Sequence, residues 1–599
     1  MKKILLILLA LTSASTVSGQ QDKRLKGLEN ELNEILGVTK AAGFAVAIVE
    51  GKKVIYSKGF GYSDYANKKP ADANTLFAIG SATKAFTSSI LGQLQHEAKL
   101  SLDDSPIKYI PELKFFNTDM NNSIMIKDLM SHRTGLPRHD YSWYMFPGFN
   151  KDSLIKRIEH QEPFTGVRKQ WMYNNFMFLA QGVIAERITG KSWEDNIRER
   201  FLKPLGMTRS NVNIEELEKS ANAALGYQIK KDSIISKMDY YNIAAMSPAG
   251  SINSSVNEMS NWLITWLNKG KFNDQQIIPE VFLNQAIGSQ MVISAALPDK
   301  QFPDMHLSNY GYGWFISSYK GHYRVEHGGN IDGFSASVAF FPSDSLGIVV
   351  LANQNNSAVP YLVRNSISDR MLKVSKANWL KVYKERQAKA QREEKEAKAK
   401  FTSGKKENTK PSHSLAAYAG KYSNPGYGDF TISQVKDSLF AKFKLKTFYL
   451  KHTHYDVFEP MEVTKTGLDT ADTGPLRFNF SIGDAGDIDV VKIKLEDAVD
   501  PIEFKHQPAA IKVDRLTLTK YVGDFELAGM VAKFYLKEDD TLYMFVAGQP
   551  EYELVATDPY KFSLIKLDGY KLEFIESADK SVSEVILIQP EGSYKAKRK

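Results

Sequence analysis

The chain has 599 residues, of which 43% are hydrophobic and 24% charged, and it contains no cysteine. That length exceeds what one hydrophobic core can organise, so several domains are expected. The missing thiols exclude disulfides, thiol catalysis, thiolate metal sites and a lipid-bearing cysteine. The formal charge of +8 does not describe a nucleic-acid-binding face. Lys373 to Lys410 alone carries 13 Lys and Arg against 5 Asp and Glu, an excess as large as that of the whole chain. No basic stripe interleaved with aromatics accompanies it.

Met1-Lys2-Lys3, the apolar run Ile4 to Leu11 and the small residues after it read as an export signal over residues 1–19, cleaved after Gly19. The run is too short to span a bilayer as a finished helix, and no other long apolar run follows, so no transmembrane segment is expected after its removal. Leu25, Leu28, Leu32, Ile35 and Leu36 repeat with helical spacing, and Gly43 to Val49 and Val54 to Gly61 read as two strands around a Glu50-Gly51-Lys52 turn. A second helix begins within Phe77-Ala78-Ile79-Gly80-Ser81-Ala82-Thr83-Lys84 and continues through Thr87, Ile90, Leu91 and Leu94. Residues i and i+3 share a helix face, so the Lys84 amine can reach the Ser81 hydroxyl. Free backbone N–H groups and the positive end of the helix dipole lie nearby. This is the setting of an activated serine nucleophile. The tetrad alone is common, since Ser-x-x-Lys also occurs at Ser105, Ser153, Ser433 and Ser563.

Leu100 to Pro106 forms a helix-stopping loop, and Ile126 to Met130 a short helix that ends in Ser131-His132-Arg133-Thr134-Gly135. Trp171-Met172-Tyr173-Asn174-Asn175-Phe176 is the second candidate, just before a helix with Leu179, Ile184 and Ile188 that closes at Gly190. Tyr-x-Asn recurs at Tyr65 and Tyr422, so this motif is also weak alone. Pro248 to Trp262 reads as a turn and helix, and Tyr310-Gly311-Tyr312-Gly313-Trp314 as the start of a strand. The third candidate is Glu326-His327-Gly328-Gly329-Asn330, followed by a hairpin from Gly333 to Phe341 and Leu346 to Asn353. Glycines within a strand mark close approach of another backbone, such as a substrate laid along the edge.

Lys376 to about Lys400 is rich in Lys, Glu and Ala and reads as a solvated helix, with a polar linker from Thr402 to Pro411. Contact of this basic segment with an acidic membrane surface is the weaker reading. Beyond Ser412 the pattern alternates and repeats at an offset of 103 residues: Tyr418-Ala419-Gly420-Lys421-Tyr422 matches Tyr521-Val522-Gly523-Asp524-Phe525, and Asp437 to Phe440 matches Asp540 to Tyr543. Two small antiparallel β-barrels follow. His452 and His454 would share a strand face, but no third metal ligand is evident. No metal or other cofactor is expected.

In order, Ser81-x-x-Lys84, Tyr173-x-Asn175 and His327-x-Gly329 resemble the active site of the serine β-lactamase and DD-peptidase superfamily, in its class C β-lactamase-like branch. The likeness runs from about Leu25 to Leu372. The C-terminal region resembles the lipocalin-like units of D-aminopeptidases in that family. The resemblance implies an α+β fold, a β-lactamase/transpeptidase-like domain of antiparallel sheet with helices on both sides, plus two barrels. The divisions expected are a signal at 1–19, the hydrolase domain at 20–375, a basic helix and linker at 376–412, and barrels at 413–510 and 511–599.

By the same resemblance Ser81 is the nucleophile, Tyr173 and Lys84 share the base role, and Asn175 orients Lys84 and the substrate. The backbone N–H groups of Ser81 and Asn330 form the oxyanion hole, with Gly328 and Gly329 beside the substrate. His327 stands where penicillin-cleaving and carboxypeptidase members carry Lys; histidine, with a reference pKa of ~6.5, is partly cationic at neutral pH. Peptidases acting from the amino end and esterases carry the histidine form. The expectation is an exported, periplasmic or secreted serine hydrolase acting on D-residue-containing peptides or peptidoglycan fragments. The alternatives are an esterase or weak class C-type β-lactamase and, in a different class, a non-catalytic sensor that is acylated and stays so. The barrels are expected to be accessory, shaping access to the cleft or holding a homo-oligomer together.

Overall fold

The computed structural model describes residues 22–599 apart from 231–232, 404, 466, 470–475, 485, 539, 565–566, 568 and 590. The expected export signal at residues 1–19 lies outside the described residues. No helix among the described residues is long and apolar enough to cross a membrane. The chain forms two compact units. The first runs through Leu136 and includes Phe149–Lys156 and Thr165–Ala397; the second comprises Pro137–Gly148, Arg157–Phe164 and Lys398–Lys599.

The first unit is built on a nine-stranded antiparallel sheet. From edge to edge its strands are Met291–Ser294, Ser308–Tyr310, Phe315–Tyr319, His322–Ile331, Phe334–Phe341, Leu346–Ala352, Gly43–Glu50, Lys53–Asp64 and Lys69–Pro70. Strands Phe334–Phe341, Leu346–Ala352 and Gly43–Glu50, adjacent in the sheet, are mostly apolar and buried on both faces, as a sheet sandwiched between helices requires. On one face Phe44, Val46, Ile48, Ile348 and Val350 pack against helices Leu28–Thr39 and Val359–Met371 through Leu28, Leu32, Val359, Leu362 and Val363. On the other face helix Val256–Leu267 lies over Gly347 and Phe340 through Leu263 and Trp266. The long basic helix spans Trp379–Ser403. Trp379 and Val382 anchor its start in the first core, with Trp379 Nε1 donating to Asp369 Oδ2 at 2.9 Å.

The second unit contains two closed, eight-stranded antiparallel barrels. The first is assembled from strands between Gly420–Asn424 and Ile502–Pro508 and closes where Thr447–His454 pairs with Val457–Thr464. The second runs from Gly523–Leu527 to Gly592–Arg598, and these two strands close it. The residues shared by the repeat are architectural. Gly420 and Gly523 hold φ of +152° and +145°. A Cβ at Gly420 would lie 2.4 Å from the Gln507 carbonyl oxygen, so glycine is required there. Tyr418, Tyr521, Leu439 and Leu542 are core residues.

The first barrel's core is completed by residues from far earlier in the chain. Phe146 stacks on Phe504 with ring centroids 5.6 Å apart and meets Phe443 edge-on at 5.3 Å. The His139 ring lies between the Tyr427 hydroxyl at 2.9 Å and the Glu162 carbonyl at 3.0 Å, and Ser142 Oγ donates to the Gly426 carbonyl at 2.6 Å. The ladder shifts register between His452 and His454. The alternation that would set both on one face is therefore broken, and His452 Nε2 donates to its neighbour Tyr455's carbonyl at 2.8 Å.

Candidate active site

Ser81 sits in the single turn Gly80–Ala82 that opens into helix Thr83–His96. That helix is buried on almost every side, and three hydroxyls along it find acceptors locally or on neighbouring helices. Thr87 Oγ1 donates to the Pro248 carbonyl at 2.7 Å, Ser88 Oγ to Gln181 Oε1 at 3.2 Å, and Ser89 Oγ to the Ala85 carbonyl at 2.7 Å. Lys84 is completely buried. Its Nζ donates to Ser81 Oγ at 2.9 Å, to Asn175 Oδ1 at 2.7 Å and to the Ala249 carbonyl at 2.7 Å. These acceptors suit a buried ammonium, which needs hydrogen-bonding partners in place of water.

Tyr173 brings its hydroxyl within 2.8 Å of Ser81 Oγ, and Lys84 Nζ lies 5.0 Å from the centre of its ring. Asn175 occupies the N-cap position of helix Phe176–Thr189 but makes no capping bond with its side chain. Asn174 takes that task, accepting from Phe176 N at 2.7 Å, and the Asn175 amide is left to hold Lys84. An asparagine at this position ordinarily caps its own helix, so the Asn-Asn pair divides two jobs.

Tyr173 is steadied by the turn after Met130. His132, at φ +54°, packs its ring 4.3 Å from the Tyr173 ring. Its Nδ1 accepts from Asn174 N at 3.2 Å, while its carbonyl accepts from Met172 N at 2.8 Å. Beneath the turn, fully buried Asp128 receives Arg133 Nε and Arg168 Nη2, each at 2.6 Å, and Arg168 N donates to the Arg133 carbonyl at 2.7 Å. This ion cluster ties the histidine turn to the segment that carries Tyr173.

The strand His322–Ile331 carries the third motif. A Cβ on Gly329 would fall 1.8 Å from the Ile79 carbonyl oxygen and 3.1 Å from Ser81 N, and one on Gly80 would fall 2.9 Å from Asn330 N. The backbone that approaches these glycines is thus the chain's own serine turn. The nitrogens of Ser81 and Asn330 border that same narrow seam. An open edge remains as well: pairing with Phe315–Tyr319 stops at Glu326, and Gly328 beyond it is exposed. The Asn330 side chain accepts from Ser335 Oγ at 2.9 Å and from Asn356 N at 2.7 Å.

His327 differs from the expectation of partial positive charge. It is buried, its Nδ1 lies 2.6 Å from the Gly328 carbonyl and its Nε2 2.9 Å from the Tyr310 hydroxyl. A carbonyl only accepts, so Nδ1 carries the proton and Nε2 accepts from Tyr310. Burial first, and then the Lys84 charge, push its pKa down to about 3 against a smaller upward pull from the Gly328 bond. The ring is neutral at ordinary pH. Burial likewise holds the Tyr310 phenol well above its usual range.

The sequence brought Ser81, Lys84, Tyr173, Asn175, His327 and Asn330 into view, and the fold gathers them. It did not bring out Tyr310, Ala249, Asn174 or the Asp128 cluster. Tyr310 lay in a stretch read as one strand; instead Ser308–Tyr310 and Phe315–Tyr319 are separate strands. They are joined by a loop in which Gly313, at φ +80°, abuts the backbone of Lys84 and Ala85. Of the other Ser-x-x-Lys sites, Ser153 Oγ is engaged by the Asn150 carbonyl at 2.7 Å and Lys108 by Asp104 at 3.0 Å.

Residues 404–506 match a domain of unknown function, DUF3471. Protein flp of Staphylococcus aureus (strain MRSA252) is 27% identical over 325 residues, 54% of this chain and 62% of that protein. The chain thus spans about three fifths of that relative's length. Unguisins hydrolase ungD' of Aspergillus campestris is 27% identical over 434 residues, 68% of this chain and 77% of that protein. The octameric penicillin-binding protein homologue from Pyrococcus abyssi shares the fold, with a TM-score of 0.54 at 20% identity, over 80% of this chain and 100% of that one. The Beta-lactamase family model matches residues 28–367, more than half of the chain and every candidate residue of the site, and the chain belongs to that family.

Proposed function

We propose that the chain is an exported serine hydrolase working through an acyl-enzyme on Ser81, with D-residue-containing peptides or peptidoglycan-derived amides as substrates. The observation that carries this reading is the pair of contacts at Ser81 Oγ, 2.9 Å to Lys84 Nζ and 2.8 Å to the Tyr173 hydroxyl. Family membership and an Aspergillus relative named as a hydrolase support it.

In this mechanism Ser81 Oγ attacks the substrate carbonyl carbon while its proton passes to the Tyr173 oxygen, whose phenolate form the Lys84 ammonium favours. The carbonyl electron pair moves onto oxygen, where the N–H groups of Ser81 and Asn330 receive it, a contribution of about 3 kcal/mol per donor. Collapse breaks the scissile bond, and the leaving group takes the proton from Tyr173. Water then adds to the acyl carbon, giving its proton to Tyr173, and the proton returns to Ser81 as the acid departs. Asn175 keeps Lys84 aimed throughout. Substrate lies along the open edge beside Gly328.

Neutral His327 supplies no fixed cation for a carboxylate beside the scissile bond. That favours amine-bearing or uncharged substrates over β-lactams and carboxypeptidase substrates, and it leaves short esters as the second reading. The test is a panel of D-aminoacyl anilides, D-Ala-D-Ala peptides, short esters and a chromogenic cephalosporin, with Ser81→Ala as blank. A serine-hydrolase probe should label Ser81 alone on peptide mapping; labelling at Ser105 or Ser153 would overturn the assignment. An acyl-enzyme that never turns over would instead favour the sensor reading. Expressed with its own leader, the processed protein should begin at Gln20.

A further inference from the structure

The two barrels share a plan but not a filling. Strand register aligns them residue by residue. Tyr422 pairs with Phe430 on one side and His506 on the other, and Phe525 pairs with Ala532 and Arg598 in the same way. Phe430 therefore corresponds to Ala532. Two residues before His506 and Arg598 stand Phe504 and Ala596. Phe443, stacked on Phe430 at 4.5 Å, corresponds to Val546, the ladder partner of Ala532. Three phenylalanines at one end of the first barrel thus become Ala, Val and Ala in the second. In the first barrel all three contact Phe146, which closes that end. The next layer changes in the opposite sense, from Ile432 and Ala441 to Phe534 and Met544, so the bulk moves inward and leaves the end open.

The second barrel accordingly holds a cavity of about 280 Å3 bordered by Ala532, Val546 and Ala596, together with Met530, Leu564 and Leu587. An apolar cavity of about 150 Å3 is enough for benzene, so this one suits a ring pair or a chain of roughly eight to ten carbons. Residues with hydrogen-bonding side chains also line it: Gln549, Gln589, Tyr552 and Tyr570. The Lys571 ammonium, also at the border, is held by Asp487 at 2.8 Å, which disfavours an anionic ligand.

We propose that the second barrel is a binding site for a small neutral amphiphile, its hydrocarbon part in place of the missing aromatic side chains and its hydrogen-bonding head at the two glutamines. The proposal does not depend on the Ser81 chemistry.

The experiment is fluorescence titration of the full chain with N-phenyl-1-naphthylamine, displaced by 1-decanol. Expected is one saturable site that Ala532→Phe and Ala596→Leu each weaken at least tenfold, folding being checked by circular dichroism. A decanol analogue bearing a diazirine should label peptides from 530–546 or 582–598 in the unmutated protein, which keeps the test valid should either variant misfold. Absence of saturable binding, or binding that both folded variants retain with label elsewhere, would overturn the proposal. So would concentration-dependent dimerisation that excludes the dye and that Ala532→Phe abolishes, because the cavity would then hold a side chain of a second copy.

Discussion

The Tyr310 hydroxyl donates to His327 Nε2 across 2.9 Å, and this bond, with that from Nδ1 to the Gly328 carbonyl, fixes the imidazole as one neutral tautomer. The pH behaviour follows. His327 has a pKa of about 3 in the fold against ~6.5 in an unfolded chain, so the unfolded state binds the additional proton. The stabilisation is fully present above pH ~6.5 and is lost as pH falls from there toward about 3. The expected outcome is a kcat/KM profile with no inflection near pH 6.5 that His327→Gln removes, and a fall in melting temperature below pH 6 that is smaller in that variant. Tyr310→Phe leaves a buried nitrogen without its donor, a cost of about 1–3 kcal/mol, measurable by denaturant unfolding.

Tyr173→Phe removes a proton carrier but little volume. Hydrolysis should fall by ~10²-fold or more with the melting temperature nearly unchanged. Near-normal rates in this variant would assign the base role to Lys84 alone.

Gly329→Ala tests the seam between the serine turn and the strand. The new methyl group would lie 1.8 Å from the Ile79 carbonyl oxygen, so one backbone must retreat. A displacement of about 1 Å at a reacting group costs ~10²-fold in rate. We expect a loss of that order in kcat, with amine and ester substrates affected alike. Gly328→Ala, whose methyl group would meet only the Ala336 carbonyl at 3.4 Å, should be far milder on small esters.

Phe146→Ala should destabilise the first barrel. The ring is buried among Phe430, Phe443 and Phe504, and such truncations cost about 3–5 kcal/mol. Thermal unfolding should show an early transition in the variant. By the same contacts, a chain truncated after Ala397 leaves Phe146, His139 and Ser142 without their partners, so its stability should fall even though every Ser81-site residue is retained.

Much of the site was legible because the chemistry uses side chains at fixed local spacing. Ser81 and Lys84 are neighbours on one helix face, and Tyr173 and Asn175 stand just before a helix start. The fold of both halves was legible from period: apolar runs such as Ala45 to Val49 mark strands buried on two faces, and alternation such as Leu542 to Val546 marks barrel walls. What escaped was decided by tertiary contact. Ala249 acts through a carbonyl that every residue possesses. Tyr310 acts through a bond to a residue two strands away. The neutrality of His327 comes from burial, which no tripeptide reveals. The glycines of Gly328-Gly329 did announce a close approach, but the sequence could not say that the approaching backbone is Ile79 to Ser81.

The first barrel's dependence on residues 137–148 sets an order of events in synthesis. His139 bonds to Tyr427, 288 residues later, and to Glu496, 357 residues later. At ~5–20 residues per second the wait for Tyr427 alone lasts roughly 15–60 s. Throughout it Phe146 has no barrel to enter and remains an apolar side chain in search of a partner. The first unit's sequence is interrupted by this uncommitted stretch, so the newborn chain carries a timed exposure that ends only when the last strand of the first barrel, Ile502–Pro508, is made. A ribosome stalled between Phe164 and Phe504 would leave that patch open, and an unfinished chain would be marked for chaperone binding or proteolysis by the residue that completes the finished one.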